Sequence, residues 1–92
     1  MKFIKVVNNC EPDPESPGQF TESGFVQEEL IPVRCLVKIY RYLPESTNVI
    51  VYVWDCPVTR RRREFREKFH SGFLLRESMR RMERHLTGMN KN

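Results

Sequence analysis

Two alternating runs, VRCLVKIYRYL (33–43) and NVIVYVWD (48–55), are joined through the polar stretch PESTN and constrain this chain more than anything else in it. In a strand, successive side chains point to opposite faces. The first run therefore puts Val33, Cys35, Val37 and Ile39 on one face and Arg34, Lys38, Tyr40 and Tyr42 on the other, with Leu36 out of pattern. The second puts Val49, Val51 and Val53 opposite Ile50, Tyr52 and Trp54. A connection this short predicts an antiparallel hairpin. Its aliphatic face needs a cover, and Tyr40, Tyr42, Tyr52 and Trp54 are expected together on the other face.

Upstream, KFIKVV (2–7) reads as a short strand closed by Asn8 and Asn9. The next stretch, CEPDPESPGQFTESG, carries three prolines, two glycines and four acids. Proline removes backbone donors and the acids repel one another, so residues 8–24 are expected as an exposed acidic loop. FVQEEL (25–30) reads as a short edge strand ahead of Pro32.

From Pro57 onward the pattern turns charged and helical. Proline suits the first turn of a helix and none follows it. With Phe65 as reference, Val58, Phe69, Gly72, Phe73, Leu75, Met79 and Leu86 fall on one stripe of a 100° wheel. Residues 56–88 are therefore expected as a long basic helix that covers the sheet, bent at Ser71-Gly72, stopped by Gly88 and followed by a frayed 89–92 tail. The fold class is α+β in a single domain spanning 1–92: an antiparallel sheet of three or four strands in residues 1–55 on that helix. Ninety-two residues build only a small core. The near-heptad set Phe65, Gly72, Met79 and Leu86 adds the expectation of a homodimer through the helix.

Charge is divided between the two halves. Residues 1–55 carry five basic against eight acidic groups, and residues 56–92 carry eleven against four, so the halves stand at −3 and +7. RRRR (60–63) lies where the expected helix would begin, at a positive dipole end that disfavours it by about 0.3–1 kcal/mol per arginine. A polyanion is the reading that accounts for this. Guanidinium forks bind phosphate or carboxylate bidentately and stack on rings. Phosphate contacts are assigned to Arg60, Arg61, Arg62, Arg63, Arg66, Arg81 and Arg84, and Lys38, Tyr40 and Trp54 are a platform on which unpaired bases could stack. The expected function is a small nucleic-acid-binding regulatory protein with an arginine-rich helix. The alternative is a non-enzymatic inhibitor or adaptor whose arginine face or acidic loop docks on a larger protein or nucleoprotein complex.

Nothing pairs a nucleophile with a base, and there is no glycine-rich phosphate loop, GxSxG or HExxH. Cys10, Cys35, Cys56, His70 and His85 lack the short spacings of a metal site, so no metal or cofactor is expected. Three cysteines without a CxxC pair favour a reducing compartment, and no apolar run approaches a membrane span. The expected setting is cytoplasmic, with a nucleic acid or an acidic protein surface as partner and no membrane.

Overall fold

A computed structural model describes residues 2–90, the last four of these by backbone only. The class is α+β: five strands in two antiparallel sheets and one C-terminal helix. β1 (Phe3–Pro12) pairs with β2 (Phe20–Pro32). β3 (Leu36–Arg41), β4 (Val49–Asp55) and β5 (Arg62–Lys68) form the second sheet in that spatial order, and α1 (Gly72–Asn90) follows.

The 33–55 hairpin forms as β3 and β4, but its faces are divided differently from the simple alternation. Residue 37 bulges from β3, and the register then pairs Ile39 with Tyr52, Tyr40 with Val51 and Arg41 with Ile50. Directly paired residues share a face. Tyr40 and Tyr42 therefore lie on the valine side, and Tyr52 and Trp54 turn to the opposite side with Ile39. Both sides of β4 are covered. Ile50, Tyr52 and Trp54 pack with Ile4, Val6, Ile31, Phe65 and Leu75, while Val49, Val51 and Val53 pack with Cys10 and Phe20. Each large side chain so buried contributes about 1.5–3 kcal/mol before entropy is subtracted.

The long arginine helix does not form at 57. Pro57 opens a four-residue hairpin loop between β4 and β5, closed by Arg60 N–H to Cys56 O at 2.8 Å and Cys56 N–H to Arg61 O at 2.9 Å. Residues 62–68 then pair with β4 from Asp55↔Arg62 to Val49↔Lys68. Phe65 satisfies both periodicities, because it is the inward residue of β5 as well as a member of the helical stripe. Val58, also on that stripe, is 88% exposed at the loop tip.

Ser71-Gly72 marks the start of α1, not a bend within a longer helix. The Ser71 hydroxyl accepts the Leu74 N–H at 3.2 Å, a side-chain N-cap. Gly72 fits because an added Cβ would lie 3.2 Å from an Arg76 Nη and 3.5 Å from Asn48 Oδ1. Leu75, Met79 and Met82 then face the sheet at helical spacing, and Phe73 stays exposed. The helix passes Gly88 to end at Asn90. Residues 91 and 92 of the expected tail lie outside the described residues. With Phe65 in a strand, the expected dimer seam of Phe65, Gly72, Met79 and Leu86 is not one helical stripe.

The acidic stretch 8–24 is mostly strand. β1 continues to Pro12 and β2 begins at Phe20, leaving a tight turn at 13–19. There Asp13 Oδ1 accepts the Glu15 N–H, Asp13 N–H donates to Gln19 O, and Gly18 takes φ +85°. This arm joins the second sheet through side chains. Asn8 Oδ1 accepts the Arg66 N–H at 3.0 Å, and Asn9 Oδ1 accepts the Lys68 N–H at 2.7 Å. Two asparagines thus stand in for a backbone ladder between β1 and β5.

Candidate nucleic-acid interface

The strand directions sort charge to opposite ends of the molecule. β1 runs parallel to β5, since Asn8 meets Arg66 and Asn9 meets Lys68, while Glu29, the ladder partner of Val6, meets Arg63. The distal part of the arm, with Glu11 on β1, Asp13 and Glu15 in the turn and Glu22 on β2, therefore lies toward the Lys68 end. The β4–β5 loop leaves from the other end, at Asp55 and Arg62. α1 begins near Arg41 and Asn48 and brings Met82 and Leu86 beside Leu36 and Ile39. Because Leu36 pairs with Trp54, α1 runs toward the loop end and carries Arg81 and Arg84 with it. Loop arginines and helix arginines share one pole; the turn acids occupy the other.

Within the arginine run, the residues have different surroundings. Arg62 forms a fork with Asp55, Nε at 3.0 Å from one carboxylate oxygen and Nη2 at 3.4 Å from the other, which raises the Arg62 pKa. Arg63 reaches Glu29 at 3.4 Å and lies 5.2 Å over the Trp54 ring and 5.0 Å over Phe65. Arg66 pairs with Glu64 at 3.2 Å and lies 6.0 Å over Phe20. These three have intramolecular partners, and solvent screens the exposed Arg62–Asp55 pair. Arg60, Arg61, Arg81 and Arg84 are exposed and form no side-chain ion pair among the described residues.

Arg60 stands apart on a second count. Its φ is +59°, in the left-handed region where a residue with a Cβ is strained and glycine is at ease. The sequence reading placed four arginines on one helical turn. The hairpin instead projects Arg60 and Arg61 from a tip and draws Arg62 and Arg63 back onto the sheet.

The expected aromatic platform is not assembled. Trp54 is wholly buried, in edge-to-face contact with Phe65 at 5.4 Å, and its Nε1 has no acceptor among the described residues. No face of its ring is open to a base. Lys38 and Tyr40 do remain exposed on β3, with the ammonium 4.9 Å from the ring centroid. The signal that separates them from Trp54 is the cross-strand register, Lys38 opposite Val53 and Tyr40 opposite Val51, which the alternation within each run does not fix.

The titratable core groups lie away from the arginine pole or are sealed. Burial is the main cause that pushes the Cys10 thiol up to about 11, against the pull of Arg66 and Lys68. Burial also raises Tyr52, whose hydroxyl donates to Glu67 at 2.5 Å, and the negative Glu67 raises it further. Cys56, at the mouth of the hairpin loop, is lowered chiefly by hydrogen bonding from Thr59. Among the described residues no group of three His, Cys, Asp or Glu side chains is placed to hold a metal ion, and no helix is long and apolar enough to cross a membrane. Comparison with protein-family models, with curated proteins and with solved structures finds no match for this chain.

Proposed function

We infer that this protein is a non-enzymatic nucleic-acid-binding protein that grips phosphates with the arginine pole, through the β4–β5 hairpin tip and the exposed arginines of α1. The observation that carries this reading is Arg60: exposed, without an ion pair among the described residues, and held at φ +59° where glycine would relieve the backbone. A ligand contact accounts for an arginine at that position, since packing does not. A two-stranded ribbon is narrow enough to enter the major groove of duplex DNA, and arginine at its tip can reach phosphates or base edges. Arg61, Arg81 and Arg84, exposed and without an ion pair among the described residues, add guanidinium groups at the same end, and Lys38 and Tyr40 stand exposed on β3, on the face away from the helix.

The test is a fluorescence-anisotropy titration against duplex DNA, single-stranded DNA and structured RNA across a salt series. Engagement of Arg60, Arg61, Arg81 and Arg84 gives a log–log slope of about −3.6 on duplex DNA. The R60A/R61A/R81A/R84A variant is expected to lose most affinity and most of that slope while keeping its circular-dichroism spectrum. No binding of wild-type protein at about 100 mM salt, or an unchanged slope in the variant, overturns the reading.

A further inference from the structure

β2 is an outermost strand. Among the described residues its ladder runs only to β1, so alternate N–H and C=O groups along its other edge have no strand to pair with. The strand also carries an irregular knuckle. Between the pairs Asn8↔Gln27 and Cys10↔Glu22, β1 supplies Asn9 alone, while β2 supplies Ser23, Gly24, Phe25 and Val26. Such a bulge re-aims side chains. Phe25 is 70% exposed and Val26 55%, and farther along the same strand Leu30 is again 70% exposed.

Charge restricts what can cover this edge. No lysine, arginine or histidine occurs between Lys5 and Arg34, whereas Glu11, Asp13, Glu15, Glu22, Glu28 and Glu29 do. Only Glu29 of these six forms an ion pair among the described residues. Two copies joined symmetrically through β2 would set these carboxylates against one another, and like charges facing across strands are destabilising. A basic occupant meets both the apolar knuckle and its acidic surroundings.

We propose that the free edge of β2 takes up an extended basic segment of a partner protein. The segment adds as a strand along Gln27–Ile31, seats apolar side chains on Leu30 and Phe25, and places lysine or arginine beside Glu22 and Glu28. Main-chain hydrogen bonds supply affinity in this mode and the alternate side chains supply specificity. This surface is separate from the arginine pole and develops the inhibitor-or-adaptor alternative.

The probe is an acetylated, amidated eight-residue peptide of alternating lysine and valine. It is titrated into 15N-labelled protein beside a glutamate-for-lysine peptide and a peptide with two central prolines. Amide shifts and slowed hydrogen exchange concentrated in β2 are expected with the first peptide alone. F25S and L30S are expected to weaken binding about tenfold each, and neither alters a buried position. Equal binding of the proline peptide reduces the contact to bulk charge and overturns the proposal. So do shifts centred on the free edge of β3, the absence of shifts at millimolar peptide, or affinity indifferent to both substitutions. A sedimenting wild-type dimer that F25S dissolves would assign the edge to a second copy, also overturning it. Nucleic-acid titration of F25S and L30S is expected to match wild type, so failure here and failure at the arginine pole are read separately.

Discussion

Replacing Arg60 by glycine separates backbone strain from ligand contact at the tip of the β4–β5 hairpin. The left-handed conformation at φ +59° costs a residue with a Cβ about 1–2 kcal/mol. Glycine removes that cost but brings back about 0.5–1 kcal/mol of unfolded-chain freedom. The Arg60 side chain is exposed and makes no hydrogen bond or ion pair among the described residues, so little else is lost. The net expectation is a gain of about 0.5–1 kcal/mol, which in a domain of this size raises Tm by about 2–8 °C. R60A is the control, since it removes the same guanidinium and keeps the strain. Thermal and urea unfolding followed by circular dichroism read the stability, and the salt series reads the binding. Both variants should reduce the salt slope by about 0.9, as one phosphate contact disappears, while only R60G should unfold later than wild type. A glycine variant no more stable than the alanine variant refutes the strain argument. Unchanged slopes in both would remove Arg60 from the interface.

Other substitutions probe the core and the seam. F65A removes a ring that is 2% exposed and stacked edge-on against Trp54, and should lower unfolding free energy by about 3–5 kcal/mol in urea titrations. F69A, at a half-buried ring, should lower it by clearly less. N9A breaks the reciprocal bonds between Asn9 and the Lys68 backbone, and should cost about 1–3 kcal/mol and speed hydrogen exchange at the Lys68 amide. The Glu67 pKa is raised, mainly by burial, with Tyr52 and Lys5 opposing the rise and Glu28 adding to it. The folded chain therefore holds this proton more tightly than the unfolded chain. The associated stability is present below the ordinary carboxylate pKa of about 4.3 and lost as pH rises through the raised value. E67Q, whose amide oxygen still accepts from Tyr52, should be more stable than wild type at pH 7, with the advantage fading below about pH 4 in paired urea titrations.

The β3–β4 hairpin was legible because two alternating runs flank a short polar link, a pattern that only one local structure satisfies. The edge strand at FVQEEL was legible for a similar reason, though its length was not. β5 was hidden because RREFREK contains one apolar residue, and Phe65 with Phe69, Gly72 and Leu75 also traces a helical stripe. Local periodicity cannot choose between these; the pairing of Tyr52 with Phe65 across the sheet does. Pro57 is equally ambiguous, since its fixed φ suits a helix start and a hairpin loop alike. The exposed cations of the arginine run were readable as a group, but partition among them was not. That partition depends on Asp55, Glu29 and Glu64 arriving from three different parts of the chain. Trp54 was misassigned because the pairing at the β3–β4 connection, with Tyr42 opposite Val49 and Tyr40 opposite Val51, sets the tyrosines of β3 on the valine face, away from Tyr52 and Trp54.

The asparagine seam between β1 and β5 also orders events during synthesis. β1 docks on a strand made almost sixty residues after it, with Asn9 reaching Lys68 at a separation of 59. The arm is thus translated before its seat exists, and its inward residues Cys10 and Phe20 wait uncovered until β4 and β5 are made. Six like charges and three prolines between residues 10 and 30 oppose premature strand pairing over that interval. Acidity of this kind favours solvation of an unseated hairpin over aggregation, for as long as Arg66 and Lys68 have yet to emerge.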